Sequence, residues 1–279
     1  MRRLVALTAL SAALLSTSAA AFLCTRTPDL GPSVFWLDRT IVVRPNGGGR
    51  EIAAGELERV LQRGAATWSG TDCSDIRVEV GPSTLQEWVG FNWHAGSADA
   101  ANQNIVLFRN DTPGDELDRW LHDASAIAIT TVTFDARSGR LLDADIEIND
   151  IGFEFTSCDS CDVKYDLENT LTHELGHVLG LDHPPAIDEA ALEATMRATA
   201  AQGDTDKRDL GIDDVNGICA IYPIDSANPG ECFDVGRQPP STVTFSQGCR
   251  GADVTPLAGV LVVLGAVRRT RRRTAAASS

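Results

Sequence analysis

Three of the five histidines in this 279-residue chain lie within one eleven-residue segment, which constrains the local fold more than any other. His173 and His177 are four residues apart, so on a helix both rings lie on one face, with Cβ atoms about 5–6 Å apart. Gly180 follows where such a helix would end, because glycine readily adopts the left-handed conformation that turns the chain back. That turn would bring His183 towards the first two rings. The spacing therefore predicts a helix that stops at a glycine and three imidazoles that converge.

Three converging neutral imidazoles make a site for a divalent metal ion, and zinc is the ion that such a set typically binds. Three protein ligands leave a fourth position for water, which distinguishes a catalytic zinc site from a structural one. Glu174 directly follows His173, so its carboxylate is placed to take a proton from that water. We predict one catalytic Zn2+ on His173, His177 and His183, with Glu174 as the catalytic base of peptide-bond hydrolysis. The alternative of ordinary helix residues would require the third histidine and Gly180 to be coincidences.

The composition excludes one class of partner and permits a large core. The formal net charge is −15, and the chain has only two lysines, Lys164 and Lys207. Because phosphate binding needs clustered lysine and arginine, we expect no nucleic-acid partner. A hydrophobic content of 43% is enough for a sizeable core. An acidic surface is also compatible with calcium, although composition alone does not establish a Ca2+ site.

Apolar residues recur at helical steps in some segments and alternate with polar residues in others. These patterns predict strands at 34–43, 76–80, 104–108, 126–134 and 144–148, and helices at 51–68, 166–180 and 209–221. Asp166 would cap the second helix, and a glycine-containing turn would join the last two strands as a hairpin. This order of elements favours an α+β domain, which we place at residues 22–225.

The first 21 residues have the organisation of a secretory signal peptide. Two arginines precede an apolar stretch at 4–15, too short to span a bilayer comfortably, and alanines at 19–21 offer a cleavage site. We expect the mature chain to begin near Phe22 and to act outside the cytosol. An uncleaved anchor helix is the alternative, and a lipid anchor at Cys24 is disfavoured by the bulk of Phe22 and Leu23.

Seven cysteines follow the signal segment; outside the cytosol they should pair and leave one over. The sequence does not determine the connectivity. The C-x-x-C at 158–161 lacks the βαβ setting of a redox motif and the second pair of a zinc knuckle, so we interpret it as a loop-closing disulfide. The expected pairs are Cys24–Cys73, Cys158–Cys161 and Cys219–Cys232, with Cys249 left over.

The motif at 173–183 resembles the zinc signature of the metzincin metallopeptidases at every defining position. Flanking matches are similar to the matrixin (peptidase M10-type) group within them, and the resemblance covers about residues 33–223. These matches are at 66–68, 165–168, 213–218 and 220–222. The resemblance implies a zincin-like catalytic domain, in which a twisted mixed sheet packs with about three helices and the active-site helix is followed by a Met-turn. It also implies a zinc metalloendopeptidase that acts on protein or peptide substrates.

By this resemblance, Met196 would form the methionine-containing turn beneath the metal; a plain core methionine is the alternative. The surroundings depart from the family pattern, because Arg197 and Ala198 follow where an aromatic residue or proline is usual. The interval between His183 and Met196 is also long. These departures concern the shape of the specificity pocket rather than the metal site.

We expect an extended substrate to pair main chain to main chain with an edge strand of the sheet. The strand predicted for this role contains Asp145, Ile146, Glu147, Ile148 and Asn149. The two remaining histidines, His94 and His122, are interpreted as surface or core residues rather than ligands of a second metal.

After residue 225 the chain changes character. Residues 226–248 are rich in Pro, Gly, Ser and Asn, as in a linker, and 249–279 contain Cys249, a short apolar run and an arginine cluster. This tail resembles tripartite sorting signals of bacterial surface proteins, of the myxobacterial type. The resemblance implies that Cys249 is the processing and attachment point, with at least transient membrane contact. A permanent membrane anchor is the alternative, the arginines then facing the cytoplasm.

Either arrangement places the catalytic domain outside the cytoplasm, secreted or at the surface of a bacterium, with outer-membrane attachment as one form. We expect a monomer, although the sequence does not determine the oligomeric state. Two other functions stay open: a catalytically weak zinc-containing surface binding module, and a structural surface protein without metal. An intact motif does not by itself guarantee turnover.

Overall fold

The computed structural model describes residues 22–91, 102–157, 164–185, 189–226, 232 and 250–251. Within these ranges it contains a five-stranded sheet, three pairs of two-residue strands and four α-helices. The strands are β1 (Leu23–Cys24), β2 (Thr40–Asn46), β3 (Arg77–Val80), β4 (Asn104–Arg109), β5 (Ala128–Phe134), β6 (Leu141–Asn149), β7 (Phe155–Thr156), β8 (Tyr165–Asp166), β9 (Leu181–Asp182), β10 (Thr199–Ala200) and β11 (Arg250–Gly251). The helices are α1 (Ala54–Ser69), α2 (Leu167–Val178), α3 (Glu189–Glu193) and α4 (Ile212–Ile221), and a 3-10 turn spans Asp206–Arg208.

The main sheet has the order β3-β2-β4-β6-β5, parallel throughout except for β5, which is antiparallel to β6. The hairpin of the last two strands is therefore confirmed, and so is the mixed-sheet α+β fold. Helix α1 forms the crossover between the parallel strands β2 and β3.

The predicted substrate strand is wrong as an edge strand. Asp145, Ile146, Glu147, Ile148 and Asn149 belong to β6, which lies between β4 and β5. Its backbone pairs on both sides, with β4 along one edge and β5 along the other, so it has no free edge for a peptide. Both faces of β6 are also buried along nearly its whole length. The edge strand on this side of the sheet is β5.

Helices α1 and α2 cover one face of the sheet. The apolar positions of α1 that recur at three- and four-residue steps are fully buried, including Leu57, Val60, Leu61 and Trp68. The indole Nε1 of Trp68 donates to the carbonyl oxygen of Thr172 in α2 at 2.7 Å, which ties the two helices together. This packing holds α2 against the centre of the sheet.

Several boundaries differ from the predicted ones. The first long strand is Thr40–Asn46 rather than 34–43, because residues near Val34 pair instead with the N-terminal segment and with the 135–141 turn. The last helix begins at Ile212 rather than at 209. The preceding Arg208 turns back and binds the Asp166 carboxylate with two nitrogens, at 2.9 and 2.6 Å.

The predicted disulfide pairs of Cys24 and Cys219 are wrong. Cys24 is bonded to Cys232, and Cys73 is bonded to Cys219. The reason is tertiary: antiparallel pairing with β9 carries Cys24 away from α1, whereas the loop after α1 runs beside the end of α4, where Ser74 pairs with Pro223. Cys158, Cys161 and Cys249 lie outside the described residues.

The two apolar runs noted in the sequence, 4–15 and 257–267, also lie outside the described residues, as does His94. Among the helices in the described ranges, none is both long and apolar enough to traverse a lipid bilayer.

The outer face of β6, opposite the helices, carries a row of buried polar side chains. Asp145 accepts hydrogen bonds from the amides of Gly90 at 2.6 Å and Ile105 at 2.8 Å. Glu147 pairs with the Nε of Arg109 at 2.6 Å and the Nε2 of His122 at 2.9 Å. These carboxylates hold the loops that cover this face, and His122 serves as one of their partners.

Asp143 also belongs to this row, near the start of β6. It is 1% exposed, and its Oδ2 has no hydrogen-bond partner among the described residues. Burial, followed by repulsion from Asp145, raises the pKa of Asp143 to about 9. Folded chains therefore keep a proton on Asp143 at pH values where unfolded chains have lost it.

This difference predicts that Asp143→Asn stabilises the fold at alkaline pH. A raised carboxyl pKa makes the wild-type free energy of unfolding fall as pH rises from the ordinary aspartate pKa towards 9, and asparagine removes that dependence. Urea unfolding at pH 5 and pH 8 should show a gain for the variant that is larger at pH 8 by about 1 kcal/mol or more. An equal difference at both pH values would contradict the raised pKa.

Candidate metal centre

Helix α2 is built to present the histidine motif. Asp166 caps it as predicted, its Oδ1 accepting from the amide of Asn169 at 2.7 Å. The helix ends at Val178, and Gly180 takes a φ of 95°. A Cβ at Gly180 would also lie 2.7 Å from the carbonyl oxygen of Val34, so both the turn and the close approach require glycine.

The structure brings together the three predicted ligands. The Nε2 atoms of His173 and His177 are 3.2 Å apart, and His183 Nε2 lies 3.1 Å from the first and 3.0 Å from the second. His173 and His177 are fully buried in the helix, and His183 is half-buried. Three ring nitrogens therefore converge at the spacing of a shared metal site.

The other ring nitrogens determine which tautomer is present. His173 Nδ1 lies 2.7 Å from the carbonyl oxygen of Thr195, and His177 Nδ1 lies 2.9 Å from that of Leu181. A carbonyl oxygen only accepts, so both Nδ1 atoms carry the proton and both Nε2 atoms present a lone pair. Lone pairs aimed at one another repel unless a cation lies between them, so this donor set fits a zinc ion.

The surroundings of His173 also keep its ring neutral. Burial, then the positive charge of Lys207, lowers the pKa of His173 well below its usual range. Lys207 is fully buried; its Nζ donates to the carbonyl oxygen of Arg197 and lies 3.3 Å from His173 Nδ1, close enough for its charge to act on that ring. An unprotonated imidazole is the form that binds metal. No pattern in the sequence around Lys207 indicates this placement, which is a tertiary contact.

Glu174 is completely buried beside the ligands. Its Oε2 accepts a hydrogen bond from the Oγ1 of Thr130, at 2.6 Å. Thr130 lies on β5, so this hydrogen bond connects the predicted base on α2 to the edge strand of the main sheet. The alternation of residues along β5 predicts that Thr130 faces the core. It does not predict which residue of α2 Thr130 contacts.

Met196 lies in a tight turn, closed by the amide of Arg197 donating to the carbonyl oxygen of Ala194 at 3.2 Å. Its side chain packs under α2: a Cβ on Gly176 would lie 2.2 Å from the Met196 sulfur and 2.8 Å from the ring of Trp68. The same turn supplies the Thr195 carbonyl that orients His173. Met196 thus occupies the place expected of a Met-turn.

One buried carboxylate holds this turn. Asp214, at the start of α4, accepts from the amides of Thr195 at 2.6 Å, Met196 at 3.0 Å and Gly211 at 2.8 Å. Its role as the anchor of the turn is a tertiary contact.

The third ligand is held by the N-terminal segment. Strand β1 pairs antiparallel with β9, which directly precedes His183, and the Thr25 amide donates to the carbonyl oxygen of Gly180 at 2.9 Å. The Cys24–Cys232 disulfide also restrains β1. Of the other predicted site residues, Asp145 to Asn149 are not part of the centre, since Ile146 and Ile148 fill the core and the polar members face the opposite side of the sheet.

Comparison with known proteins agrees with this geometry. The family model for matrixin matches residues 83–223, just over half of the chain, a range that contains the three histidines, Glu174 and Met196. Three proteins of Arabidopsis thaliana are similar to parts of the chain. Metalloendoproteinase 1-MMP is 38% identical over 63 residues (23% of this chain, 16% of that protein), 2-MMP is 36% identical over 119 (42% and 28%), and 4-MMP is 31% identical over 96 (34% and 25%). The chain thus spans less than a third of the length of these relatives.

The Asp214 contacts predict that Asp214→Ala is strongly destabilising. The variant leaves the buried amides of Thr195 and Met196 and the part-buried amide of Gly211 without this acceptor. An unsatisfied buried amide costs about 1–3 kcal/mol, so we expect the free energy of unfolding to fall by at least about 2 kcal/mol. Asp209→Ala, which removes an exposed carboxylate from the same segment, is the control and should change it by less than about 0.5 kcal/mol. Similar urea midpoints for the two variants would refute the anchoring role.

Proposed function

Because the chain belongs to the matrixin family, whose members are zinc metallopeptidases, we propose that it is a zinc-dependent endopeptidase acting outside the cytoplasm. The observation that carries this proposal is the convergence of His173, His177 and His183 with Nδ1 protons turned away from the common centre. His173, His177 and His183 would hold the ion. When bound, zinc would acidify a water molecule and polarise the scissile carbonyl group.

The rest of the chemistry belongs to the protein. The Glu174 carboxylate would take the proton from the attacking water and deliver it to the leaving amine. Its burial excludes bulk solvent, which would otherwise compete for that proton. The Thr195 and Leu181 carbonyls keep the rings of His173 and His177 in the ligand tautomer throughout.

We place the substrate along β5 rather than β6. The outer side of β5 has no partner strand in the described part of the sheet, so an extended peptide could add there by main-chain hydrogen bonds. Thr130 of this strand contacts Glu174, so a peptide on β5 would pass beside the proposed base. Sequence preferences around the scissile bond do not follow from these contacts.

The proposed location is the exterior or surface of a bacterial cell. The signal-like segment at 1–21 supports export, and the disulfides Cys24–Cys232 and Cys73–Cys219 suit an oxidising compartment. Attachment through Cys249 and transient membrane contact of the tail at 249–279 are part of this proposal and rest on the sequence alone.

The proposed role of Glu174 predicts that Glu174→Gln retains zinc but loses activity. Removing a general base should lower the rate of casein hydrolysis by at least about 100-fold. Glu58→Gln, the same substitution at an exposed site on α1, should match wild type, and zinc content and melting temperature should be unchanged in both. Equal, chelator-insensitive rates in wild type and Glu174→Gln would instead favour a zinc-containing binding module.

The ligand assignment predicts release of zinc in mild acid. Protons compete with the metal for the imidazole nitrogens, so dialysis between pH 6 and pH 4 should strip the ion, as measured by elemental analysis of the retained protein. A control dialysis at pH 7.5 should preserve one zinc per chain. Full zinc occupancy well below about pH 4 would argue against three histidine ligands.

A further inference from the structure

We propose that Thr130 is a positioning residue that holds the Glu174 carboxylate in the orientation needed for proton transfer. This inference rests on the proposed function, because it assigns a role relative to the base of that reaction. The observation behind it is a 2.6 Å hydrogen bond between Thr130 Oγ1 and Glu174 Oε2, with both residues completely buried.

The hydroxyl proton of Thr130 has two acceptors within reach, both on Glu174. The carboxylate oxygen is 2.6 Å away and the backbone carbonyl oxygen is 3.2 Å away. A hydroxyl carries one proton, and the side-chain oxygen is the nearer of the two acceptors by 0.6 Å. The proton therefore points at the carboxylate, and the strand contributes a directed donor to the proposed base.

Thr130 is well suited to act as a fixed point. It lies in the middle of β5, opposite Ile146 of β6, and its backbone position is set by the strand pairing. A β-branched side chain in a strand also has few rotamers, so its hydroxyl moves little relative to the backbone. Glu174 has a longer side chain with more rotatable bonds, so a donor fixed on the strand restricts the orientations of its carboxylate.

The same contact connects the two parts of the proposed site. Thr130 belongs to the strand on which we place the substrate, and Glu174 belongs to the helix that carries His173 and His177. Because Thr130 holds the Glu174 carboxylate to β5, the distance between this carboxylate and a peptide paired with β5 should stay nearly constant when α2 and the sheet shift slightly. Loss of the bond should therefore affect the rate of the chemical step more than substrate binding.

The test compares Thr130→Val, Thr130→Ser and a matched control in the zinc-loaded full chain. Thr172→Val is the control, because Thr172 is also buried, lies on α2, and has an Oγ1 without a partner among the described residues. With a peptide substrate, Thr130→Val should lower kcat about tenfold or more while KM stays within about twofold. Thr130→Ser keeps the hydroxyl and should restore kcat, and Thr172→Val should stay within about twofold of wild type.

A double-mutant cycle separates action through Glu174 from other effects. If Thr130 works through the base, Thr130→Val should cause no further loss of rate in a Glu174→Gln background. A full additional loss there, or an unchanged kcat for Thr130→Val in the wild-type background, would overturn the proposal. Thr130→Ala replaces the valine variant if the latter does not fold.

Two measurements do not depend on activity. Zinc content of Thr130→Val should match wild type, since this hydroxyl donates to Glu174 rather than to a histidine. Crystal structures of the zinc-loaded proteins should show the Glu174 carboxylate displaced in Thr130→Val; an unmoved carboxylate would refute the positioning role. A wild type no faster than Glu174→Gln would refute the proposed function instead, and the crystallographic comparison would still decide whether Thr130 orients Glu174.

Discussion

The metal centre depends on two hydrogen bonds that do not involve the metal ligand atoms themselves. His173 and His177 each donate an Nδ1 proton to a backbone carbonyl, from Thr195 and Leu181 respectively. These bonds select one tautomer and turn each Nε2 lone pair to the common centre. Because backbone carbonyls are fixed by the chain path, the ring orientations follow from the Met196 turn and from the turn after α2. The site is therefore preorganised by the fold.

Buried carboxylates then hold the segments that carry those carbonyls. Asp214 binds the turn of Thr195 and Met196, and Asp166 caps α2 and binds Arg208. On the other side of the sheet, Asp145 and Glu147 hold the covering loops. A strongly acidic composition suggests a charged surface, but part of this acidity lies inside, where each of these carboxyl groups accepts several hydrogen bonds from neighbouring segments.

The predictions that failed concern relations between elements distant in the sequence. The residue pattern of β6 identified a strand but not its neighbours in the sheet. A strand with one polar face can lie at an edge, with that face in water, or in the interior, with that face covered by loops. The pairing of Cys24 depended on where the N-terminal segment joins β9, a contact across more than 150 residues. The role of Thr130 needed the strand and helix to meet. Local sequence patterns do not indicate which distant elements come into contact.

The sequence by itself determined the helix of the motif, its cap at Asp166, its stop at Gly180 and the three histidines that share one centre. These features arise from helical spacing and backbone conformation within a few residues, so local physics is sufficient for them. Only the tertiary structure decided the order of strands, the disulfide partners and the contacts of Glu174, Asp214 and Lys207. Those depend on which elements pack together, and packing is a property of the whole chain.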